Sequence, residues 1–443
     1  MKKIILILLL FMLTLPVSAK KYIRDFSTVI NDSGVDIESI AISIKDTSNG
    51  KAVYELNEKM LMNPASVQKL LTTPVIVETL GEDYSFNTEL YLREDNSYLL
   101  KLAGDPYLTT SDLKKLIGEV SKDTESFYID DRILDKKTWG EGWQWDDDLN
   151  VLMPRFGAYN LDKNLIKLTL IPEPNGQFAK IINPSKYPMA FFNNVVTSDK
   201  TDISLSRDNS ISPNTLMLSG TIARPTTVYI PNVNIKRYFE VQLTRLFEDR
   251  GIYMKNPYMP SVKKSDDVLK NHISHDIKFA INDILKNSNN LVSETLFKLA
   301  GAKYCNLETG TDVSGIKMFN DYCVNNKLDN SRIKITDASG VSKNNLVSAD
   351  FITDFLVLNK SNKVLESLPA PGEGTLTHRM LTIKDNLKAK TGTLSDISSI
   401  AGYVTSRSGK KYAFSIMIND LNLSESDKKM LEDFIIREAY LRL

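Results

Sequence analysis

Three short motifs, in a fixed order along the chain, contain the residues whose types and spacing could do chemistry. They are Ser66-Val67-Gln68-Lys69, Ser288-Asn289-Asn290 and Lys390-Thr391-Gly392-Thr393. Each motif alone is common. Together they are typical of a site in which a serine hydroxyl attacks a carbonyl carbon and a lysine replaces histidine as the base. The motifs therefore predict acyl transfer through a covalent intermediate on Ser66.

The first motif places a nucleophile and a base one helical turn apart. An apolar helical run over 67–80 follows Ser66, so the serine is expected at a helix N-terminus, where backbone N–H groups and the helix dipole can stabilise an oxyanion. Lys69 lies three residues further on, on the same face. Taken alone, the motif is better explained as a helix cap with a solvated lysine, because such a tetrapeptide is frequent by chance.

Lys69 can act as a base only if its pKa falls well below the usual value of about 10.4. Burial and a second cation both lower a lysine pKa, and Lys390 is the expected second cation. Lys390 could also bind a substrate carboxylate, with hydroxyl contacts from Thr391 and Thr393, while Gly392 lets a ligand backbone approach. The N–H of Thr393 could complete an oxyanion hole. The alternative is an ordinary strand end with a turn glycine.

The middle motif is expected to form a short polar turn between helical runs over 276–286 and 291–300. In a cleft, Ser288 would relay a proton to the leaving group. Asn290 would bind the substrate amide or Lys69. The alternative is a plain turn between two helices.

The first nineteen residues have the pattern of a secretory signal peptide. Lys2 and Lys3 precede an apolar run over 4–15, and small residues lead to a cleavage site after Ala19. An uncleaved anchor is the alternative, but the run is short for a membrane span of about 20 residues. We therefore expect a secreted, periplasmic protein with no membrane span after cleavage.

Charge and ligand content argue against several classes of partner. The chain has 55 Lys and Arg against 55 Asp and Glu and no basic run, so no nucleic acid partner is expected. His272 and His275 beside Asp276 lack a third protein ligand, so no metal is predicted. Cys305 and Cys323 could form a disulfide in an exported protein or remain two buried thiols, and the sequence does not decide between these.

Strands at both ends of the chain predict one antiparallel sheet into which the middle of the chain is inserted. The expected strands are 40–45, 52–56, 387–393, 397–405 and 411–418, followed by a helix over 424–441. The middle is rich in short β-type runs. The predicted division is a discontinuous catalytic domain (20–81 and 266–443), a first inserted domain (82–160 and 232–265) and a second, β-rich inserted domain (161–231).

Five segments together carry a family resemblance. They are Asn63-Pro64-Ala65-Ser66-Val67-Gln68-Lys69, Gly104-Asp105-Pro106, Ser288-Asn289-Asn290-Leu291, Asp337-Ala338-Ser339-Gly340 and Gly372-Glu373-Gly374-Thr375-Leu376. The chain resembles the serine penicillin-recognising enzymes, and within them the D-Ala-D-Ala carboxypeptidase/endopeptidase family typified by penicillin-binding protein 4. The resemblance covers essentially the whole mature chain, including the long insertion between Ser66 and Ser288.

The resemblance implies an α+β fold: a penicillin-recognising, β-lactamase/transpeptidase-like domain with an antiparallel sheet flanked by helices, interrupted by a large, mainly β insertion. It implies peptidoglycan stem peptides ending in or cross-linked through D-alanine as substrates, β-lactams as acylating inhibitors of Ser66, and no cofactor. It also implies that Asp147, with Asp146 as the second choice, contacts the free amine of a diaminopimelate-type stem residue. A hydrophobic plug with solvated acids is the alternative for that segment.

Three other functions compete with this interpretation. A β-lactamase or esterase on the same scaffold is the nearest, but the Glu-x-x-Leu-Asn element typical of deacylation is absent between Ser288 and Lys390. A histidine-triad hydrolase is poorly supported by three histidines. A catalytically silent cell-wall-binding protein would have no need for all of the motif residues.

Overall fold

The computed structural model describes residues 26–207, 212 and 214–443, so the predicted signal peptide lies outside the described residues. The helices are α1 Phe26–Ser33, α2 Gln68–Leu80, α3 Thr110–Leu116, α4 Ile235–Glu248, α5 Ile277–Asn287, α6 Asn290–Cys305, α7 Asp312–Asn325, α8 Ala349–Leu358, α9 Lys363–Glu366 and α10 Glu425–Arg442. Within this described part, none of the helices is both long enough and apolar enough to cross a membrane.

The strands fall into four larger sheets and one two-stranded ladder. They are β1 Ile40–Asp46, β2 Ala52–Leu56, β3 Ser85–Leu92, β4 Tyr98–Lys101, β5 Ser126–Asp130, β6 Leu165–Ile171, β7 Lys180–Ile182, β8 Ala190–Thr197, β9 Asp202–Arg207, β10 Thr215–Ile222, β11 Thr226–Pro231, β12 Asn256–Pro260, β13 Val268–Asp276, β14 Ile333–Lys334, β15 Leu346–Val347, β16 Leu387–Leu394, β17 Ile397–Thr405 and β18 Lys411–Asn419.

Strands from both ends of the chain form one antiparallel sheet in the order β16-β17-β18-β1-β2. β1 lies beside β18, with Ile40 opposite Ile418. The hairpin from β1 to β2 turns at Gly50, whose φ of +72° is a conformation that glycine adopts without steric cost. The predicted sheet that brings the two ends of the chain together is confirmed.

Helices cover both faces of this sheet, so its central strands are buried on both sides. Ile40, Ile42 and Ile44 of β1 pack in one apolar cluster with buried residues of α1 and α10. On the opposite face, the hydroxyl of Ser43 lies 2.7 Å from that of Thr353 in α8. The sheet is therefore the middle layer of an α+β domain, as predicted.

The middle of the chain is rich in β structure, as the sequence indicated. A second five-stranded sheet has the order β12-β5-β4-β3-β13, and two three-stranded sheets have the orders β8-β10-β9 and β11-β6-β7. α4 packs on the five-stranded sheet, where the ring of Phe247 lies 5.1 Å from that of Phe127.

The division into a catalytic domain and two inserted domains stays a prediction. β13 begins after residue 265, the predicted end of the first inserted domain, yet it pairs with β3 along its whole length. A division drawn by sheet membership would therefore extend the first inserted domain to Asp276. α5, which starts at Ile277, then returns the chain to the catalytic domain.

The two cysteines lie on neighbouring helices and are both free thiols. Cys305 ends α6, and Cys323 is buried in α7. The two helices approach closely at Gly301, where an added Cβ would lie 2.3 Å from the backbone nitrogen of Gly315. Burial raises the pKa of the Cys323 thiol to about 12, so this thiol is protonated and unreactive at neutral pH.

Candidate active site

Ser66 lies in a 3₁₀ turn that leads directly into α2, so it sits at a helix N-terminus as expected. Ala65 has a φ of +45°, a left-handed conformation that costs a non-glycine residue on the order of 1–3 kcal/mol. The carboxamide oxygen of Asn63 accepts the Ala65 N–H at 2.9 Å, and the Ser399 hydroxyl donates to the Pro64 carbonyl at 2.6 Å. These contacts hold the strained turn in place.

The amine of Lys69 lies at the centre of the site, and the residue is fully buried. Its Nζ is 2.9 Å from the Ser66 Oγ, 2.6 Å from the Asn290 Oδ1 and 2.6 Å from the Ser339 carbonyl oxygen. The structure thus brings together the serine and lysine of the first motif and the asparagine of the second. At 2.9 Å, the amine is within reach of the serine proton.

Burial lowers the pKa of Lys69 to about 7, and the carboxylates of Asp337 and Glu294 oppose this shift. Burial, and next the positive charge of Lys69, lower the pKa of Lys390 well below its usual value. The sequence predicted that Lys390 would depress the pKa of Lys69. In the structure burial is the largest cause of the low Lys69 pKa, and the repulsion between the two amines, which is mutual, also holds the pKa of Lys390 down.

The acylation rate should fall as the pH is lowered through about 7, because a protonated Lys69 cannot accept the Ser66 proton. Loss of one base predicts a drop of about tenfold per pH unit on the acidic side. The measurement is the acylation rate constant with a fluorescent penicillin between about pH 5 and about pH 9. A rate that stays flat across that range would contradict Lys69 as the base.

Lys390 connects the second and third motifs. Its buried Nζ donates to the Ser288 Oγ at 2.9 Å and to the Thr391 carbonyl oxygen at 2.8 Å. The Thr391 hydroxyl donates to that of Thr375 at 2.6 Å. An amine and several hydroxyl groups are therefore gathered beside β16, and these are groups that can bind a carboxylate.

Asn289 has a structural task rather than a chemical one. Its side-chain oxygen accepts the Val292 N–H and caps α6, while its amide nitrogen donates to the Asp283 carboxylate at 2.7 Å. An aspartate at 289 could make the first contact but not the second, because two carboxylates would then face each other. This explains asparagine at the centre of the motif.

Gly392 lets β16 pass directly against the Ser66 turn. A Cβ at this position would lie 2.8 Å from the Ser66 nitrogen, 2.7 Å from the Pro64 oxygen and 2.4 Å from the Ser399 Oγ. All three are closer than side chains normally approach. The glycine of the third motif is therefore required for the strand to lie beside the nucleophile.

β16 is an edge strand, and one of its faces packs against the Ser66 turn at Gly392. The N–H of Ala389 points away from β17, because it donates to Pro369 at 3.1 Å. The register with β17 is unbroken, so the N–H groups of Thr391 and Thr393 point the same way as that of Ala389. This orientation supports the predicted oxyanion contact from Thr393.

A loop over 337–342 completes the site, and the sequence assigned it no chemical task. The Asp337 carboxylate accepts the backbone N–H groups of Gly340 and Ser342, each at 2.7 Å. It also accepts the Trp143 indole N–H at 2.8 Å. Asp337 therefore organises its own loop and ties it to the inserted part of the chain.

The same loop is pressed onto the nucleophile turn at Gly340. A Cβ there would lie 1.8 Å from the Ala65 carbonyl oxygen, and the φ of +81° also favours glycine. This approach places the Ser339 carbonyl against Lys69. Its sequence signal was the motif Asp337-Ala338-Ser339-Gly340, which carries part of the family resemblance but was assigned no chemical task.

Comparison with known proteins identifies the family. A sequence model of the D-Ala-D-Ala carboxypeptidase 3 (S13) family matches residues 24–438. The chain belongs to this family. As an S13 protein it is a serine peptidase with the penicillin-recognising fold, in agreement with the resemblance found in its sequence.

Individual relatives match the S13 protein over most of its length. It is 26% identical to the D-alanyl-D-alanine carboxypeptidase of Actinomadura sp. (strain R39) over 89% of this chain and 80% of that protein. It is 24% identical to the carboxypeptidase DacB of Haemophilus influenzae over 94% and 92%. The crystal structure of penicillin-binding protein 4 from Haemophilus influenzae matches with a TM-score of 0.80 at 22% identity, over 94% of this chain and all of that one.

Asp147 lies at the end of a short 3₁₀ turn in the S13 protein and is partly exposed. It belongs to a loop that is tied to the site on either side of it. Before Asp147, Trp143 donates to Asp337; after it, the Leu152 carbonyl accepts the amide N–H of Asn290 at 2.7 Å. Asp147 therefore belongs to a loop that is anchored to the site on either side of it.

The tryptophans of this loop have different environments. Trp143 is buried in a small cluster with Phe156, Leu291 and Val341, which fits the alternative of a hydrophobic plug. Trp145, by contrast, is 82% exposed. The plug therefore explains Trp143 but leaves Trp145 and its acidic neighbours available to a ligand.

The two histidines near the end of the first inserted domain do not form a pair. His272 and His275 lie three residues apart on β13, so they point to opposite faces of the strand. The Nδ1 of His275 is 2.6 Å from a carboxylate oxygen of Asp105. Among the residues that the structure describes, there is no group of three metal-ligating side chains suited to a metal ion.

Proposed function

We propose that this S13 protein is a serine-type D-Ala-D-Ala carboxypeptidase and DD-endopeptidase that acts on peptidoglycan stem peptides. The observation that carries the proposal is the 2.9 Å contact between the Lys69 amine and the Ser66 hydroxyl in a buried site. Burial keeps a large share of Lys69 unprotonated at neutral pH, so it can take the hydroxyl proton as Ser66 attacks the D-alanine carbonyl.

The tetrahedral intermediate would be stabilised by the Ser66 and Thr393 backbone N–H groups. Ser288 would pass its proton to the departing amine and regain one from Lys390, whose amine donates to its hydroxyl at 2.9 Å. Departure of that amine leaves an ester on Ser66, which water hydrolyses. A free D-alanine leaves in the carboxypeptidase reaction, and a cross-linked stem leaves in the endopeptidase reaction.

Substrate binding follows from the edge of β16. An extended peptide can add to this edge through the backbone groups of Thr391 and Thr393, which fixes its carbonyl over Ser66. A terminal carboxylate would meet the amine of Lys390 and the hydroxyls of Ser288 and Thr391. Because a carboxylate raises the pKa of a nearby amine, its arrival would favour protonation of Lys390, whose pKa burial has lowered.

Asp147 is proposed to contact the free amine of the third stem residue. Replacing Asp147 with Asn should raise the KM for a stem peptide with a free side-chain amine about fivefold and leave kcat nearly unchanged, because an exposed ion pair contributes about 1 kcal/mol. The measurement compares this peptide with its N-acetylated form. The variant should lose the preference between them; an unchanged preference would exclude Asp147 from amine binding.

Two further features of the proposal concern location and inhibition. The signal-like segment 1–19 supports export to the compartment where peptidoglycan lies.

β-Lactams are proposed to acylate Ser66, since their amide can occupy the place of the D-Ala-D-Ala bond. One of the matching structures is of penicillin-binding protein 4 from Haemophilus influenzae in complex with a β-lactam.

The experiment is mass spectrometry of purified peptidoglycan fragments after incubation with the mature protein. One sample is a pentapeptide monomer, the other a dimer cross-linked through D-alanine, and β-lactam hydrolysis is followed in parallel. Loss of D-alanine and conversion of dimer to monomer are the expected results. Unchanged fragments with rapid β-lactam turnover would instead establish a β-lactamase, and unchanged fragments that bind the folded protein would establish a silent wall-binding protein.

A further inference from the structure

One face of α6 carries three charged or polar residues at a spacing of four. Asn290 at its start contacts Lys69, and Lys298 near its middle forms ion pairs with Asp135 and Asp312 at 2.7 and 3.3 Å. Between them lies Glu294, which is 1% exposed. A carboxyl group without solvent must find partners within the protein.

Glu294 finds these partners in the loop that faces the Lys69 amine. One of its carboxylate oxygens accepts the Ser339 N–H at 2.8 Å, and the other accepts the Ala338 N–H at 3.3 Å. The carbonyl of Ser339 then accepts the Lys69 amine at 2.6 Å. Glu294 thus reaches the base through the backbone of one residue, Ser339.

We propose that Glu294 is a positioning residue that aims the Ser339 carbonyl at Lys69 and sets the basicity of that amine. This inference rests on the proposed function, because it concerns the base of that reaction. It assigns a task to a residue outside the three motifs.

The charges around Lys69 determine in which direction Glu294 shifts the pKa of that amine. The carboxylates of Glu294 and Asp337 oppose the lowering of the Lys69 pKa by burial, and Lys390 is the other amine in the site. Burial, and then the charges of Asp337 and Asp312, raise the pKa of Glu294, and its hydrogen bond from Ser339 opposes this rise. Lys69 and Glu294 titrate as a coupled pair, in which a protonated Lys69 amine favours the ionised carboxyl of Glu294.

An amide at 294 would remove the negative charge and keep much of the shape. Glu294→Gln can still accept one of the two backbone N–H groups but places an NH₂ group against the other. Without the opposing charge, the Lys69 pKa should fall further. The amine would then remain unprotonated, and active as a base, at a lower pH.

The test is the pH dependence of acylation by a fluorescent penicillin for the wild-type protein and Glu294→Gln. The midpoint on the acidic side should move down by about one pH unit, the lower end of the effect of a nearby opposite charge. The plateau rate should fall about tenfold, because one buried N–H loses its acceptor. If Glu294 had a purely structural role, its replacement would lower the folded fraction and leave the midpoint of the pH dependence unchanged.

Glu432→Gln is the matched control, because Glu432 is also a fully buried carboxyl but contacts Ser398 and Arg379 instead of the loop at Lys69. Its midpoint should equal that of the wild type. An equal shift in both variants, or an unmoved midpoint in Glu294→Gln, would overturn the inference. Absence of acylation in the wild type would refute the proposed function, and this inference with it.

Glu294→Asp separates the effect of the negative charge from the effect of side-chain length. It also replaces Glu294→Gln as the test variant if Glu294→Gln does not fold. It keeps the negative charge but is one methylene too short to hold both N–H groups. The midpoint should stay near the wild-type value, while the plateau rate falls about tenfold as the Ser339 carbonyl loses its orientation. A plateau equal to that of the wild type would overturn the positioning of Ser339 by Glu294.

Discussion

Ser66→Ala should abolish both acylation by β-lactams and release of D-alanine, while the protein stays folded. The nucleophile of the proposed reaction is the Ser66 hydroxyl, which lies 2.9 Å from the Lys69 amine. Removing the nucleophile of a serine hydrolase typically costs a factor of at least about 10⁴ in kcat. The strained backbone at Ala65 is held by Asn63 and Ser399, which the substitution leaves in place.

The measurement is fluorescent-penicillin labelling and D-alanine release, with thermal unfolding as the check on folding. Ser48→Ala is a suitable control, because Ser48 is exposed in the turn between β1 and β2 and bonds only to Asp46 among the described residues. Its activity should match that of the wild type. Labelling of Ser66→Ala at the wild-type rate would show that another residue is the nucleophile.

Lys69→Met should reduce acylation about 10³- to 10⁴-fold, in the range expected for loss of a general base. Methionine has a similar length, so it fills the buried space without an amine. The loss should persist at high pH, because no proton acceptor remains beside Ser66. Acylation rates measured up to about pH 9 test this, and recovery of the wild-type rate at high pH would contradict the assignment.

Lys298→Met provides the contrast between a catalytic and a structural buried lysine. Lys298 is paired with Asp135 and Asp312, whereas Lys69 has no carboxylate within ion-pair distance in the described part of the chain. Losing one partner of a buried ion pair costs up to about 3 kcal/mol. Lys298→Met should therefore lower the melting temperature more than Lys69→Met, yet its folded fraction should still be acylated.

The sequence predicted those features that depend on residues close together in the chain or on a regular alternation of side chains. Ser66 and Lys69 lie three residues apart, so their contact follows from a helix. The terminal strands alternate strongly enough to predict the shared sheet. The helix expected over 424–441 is also present as α10, where Leu431, Ile435 and Ala439 are buried at helical spacing.

The rest depends on contacts between residues that are far apart in the chain. The Ser339 carbonyl that holds Lys69 is 270 residues from it, and the Glu294 contact to Ser339 spans 45. The type of a residue does not indicate which group its backbone carbonyl will contact. β13 was missed for another reason: it is an edge strand in which Ile273 is the single apolar side chain from Lys270 to Asp276, so most of it shows no apolar run.

The charge balance at Lys69 was also beyond sequence reasoning. The sequence indicated burial and a second amine as causes of a low Lys69 pKa, but it could not rank them. In the structure burial is the largest cause, and the charges of Asp337 and Glu294 limit its effect. Burial and distance decide such a balance, and both are properties of the folded chain.

The most direct test of the central claim is to locate the covalent bond. The purified mature protein is incubated with a β-lactam, digested, and its peptides are sequenced by mass spectrometry. We predict one adduct, on Ser66, that appears more slowly below about pH 7 because Lys69 becomes protonated. An adduct on any other residue, or none on a folded protein that retains peptidase activity, would contradict the acyl-enzyme mechanism.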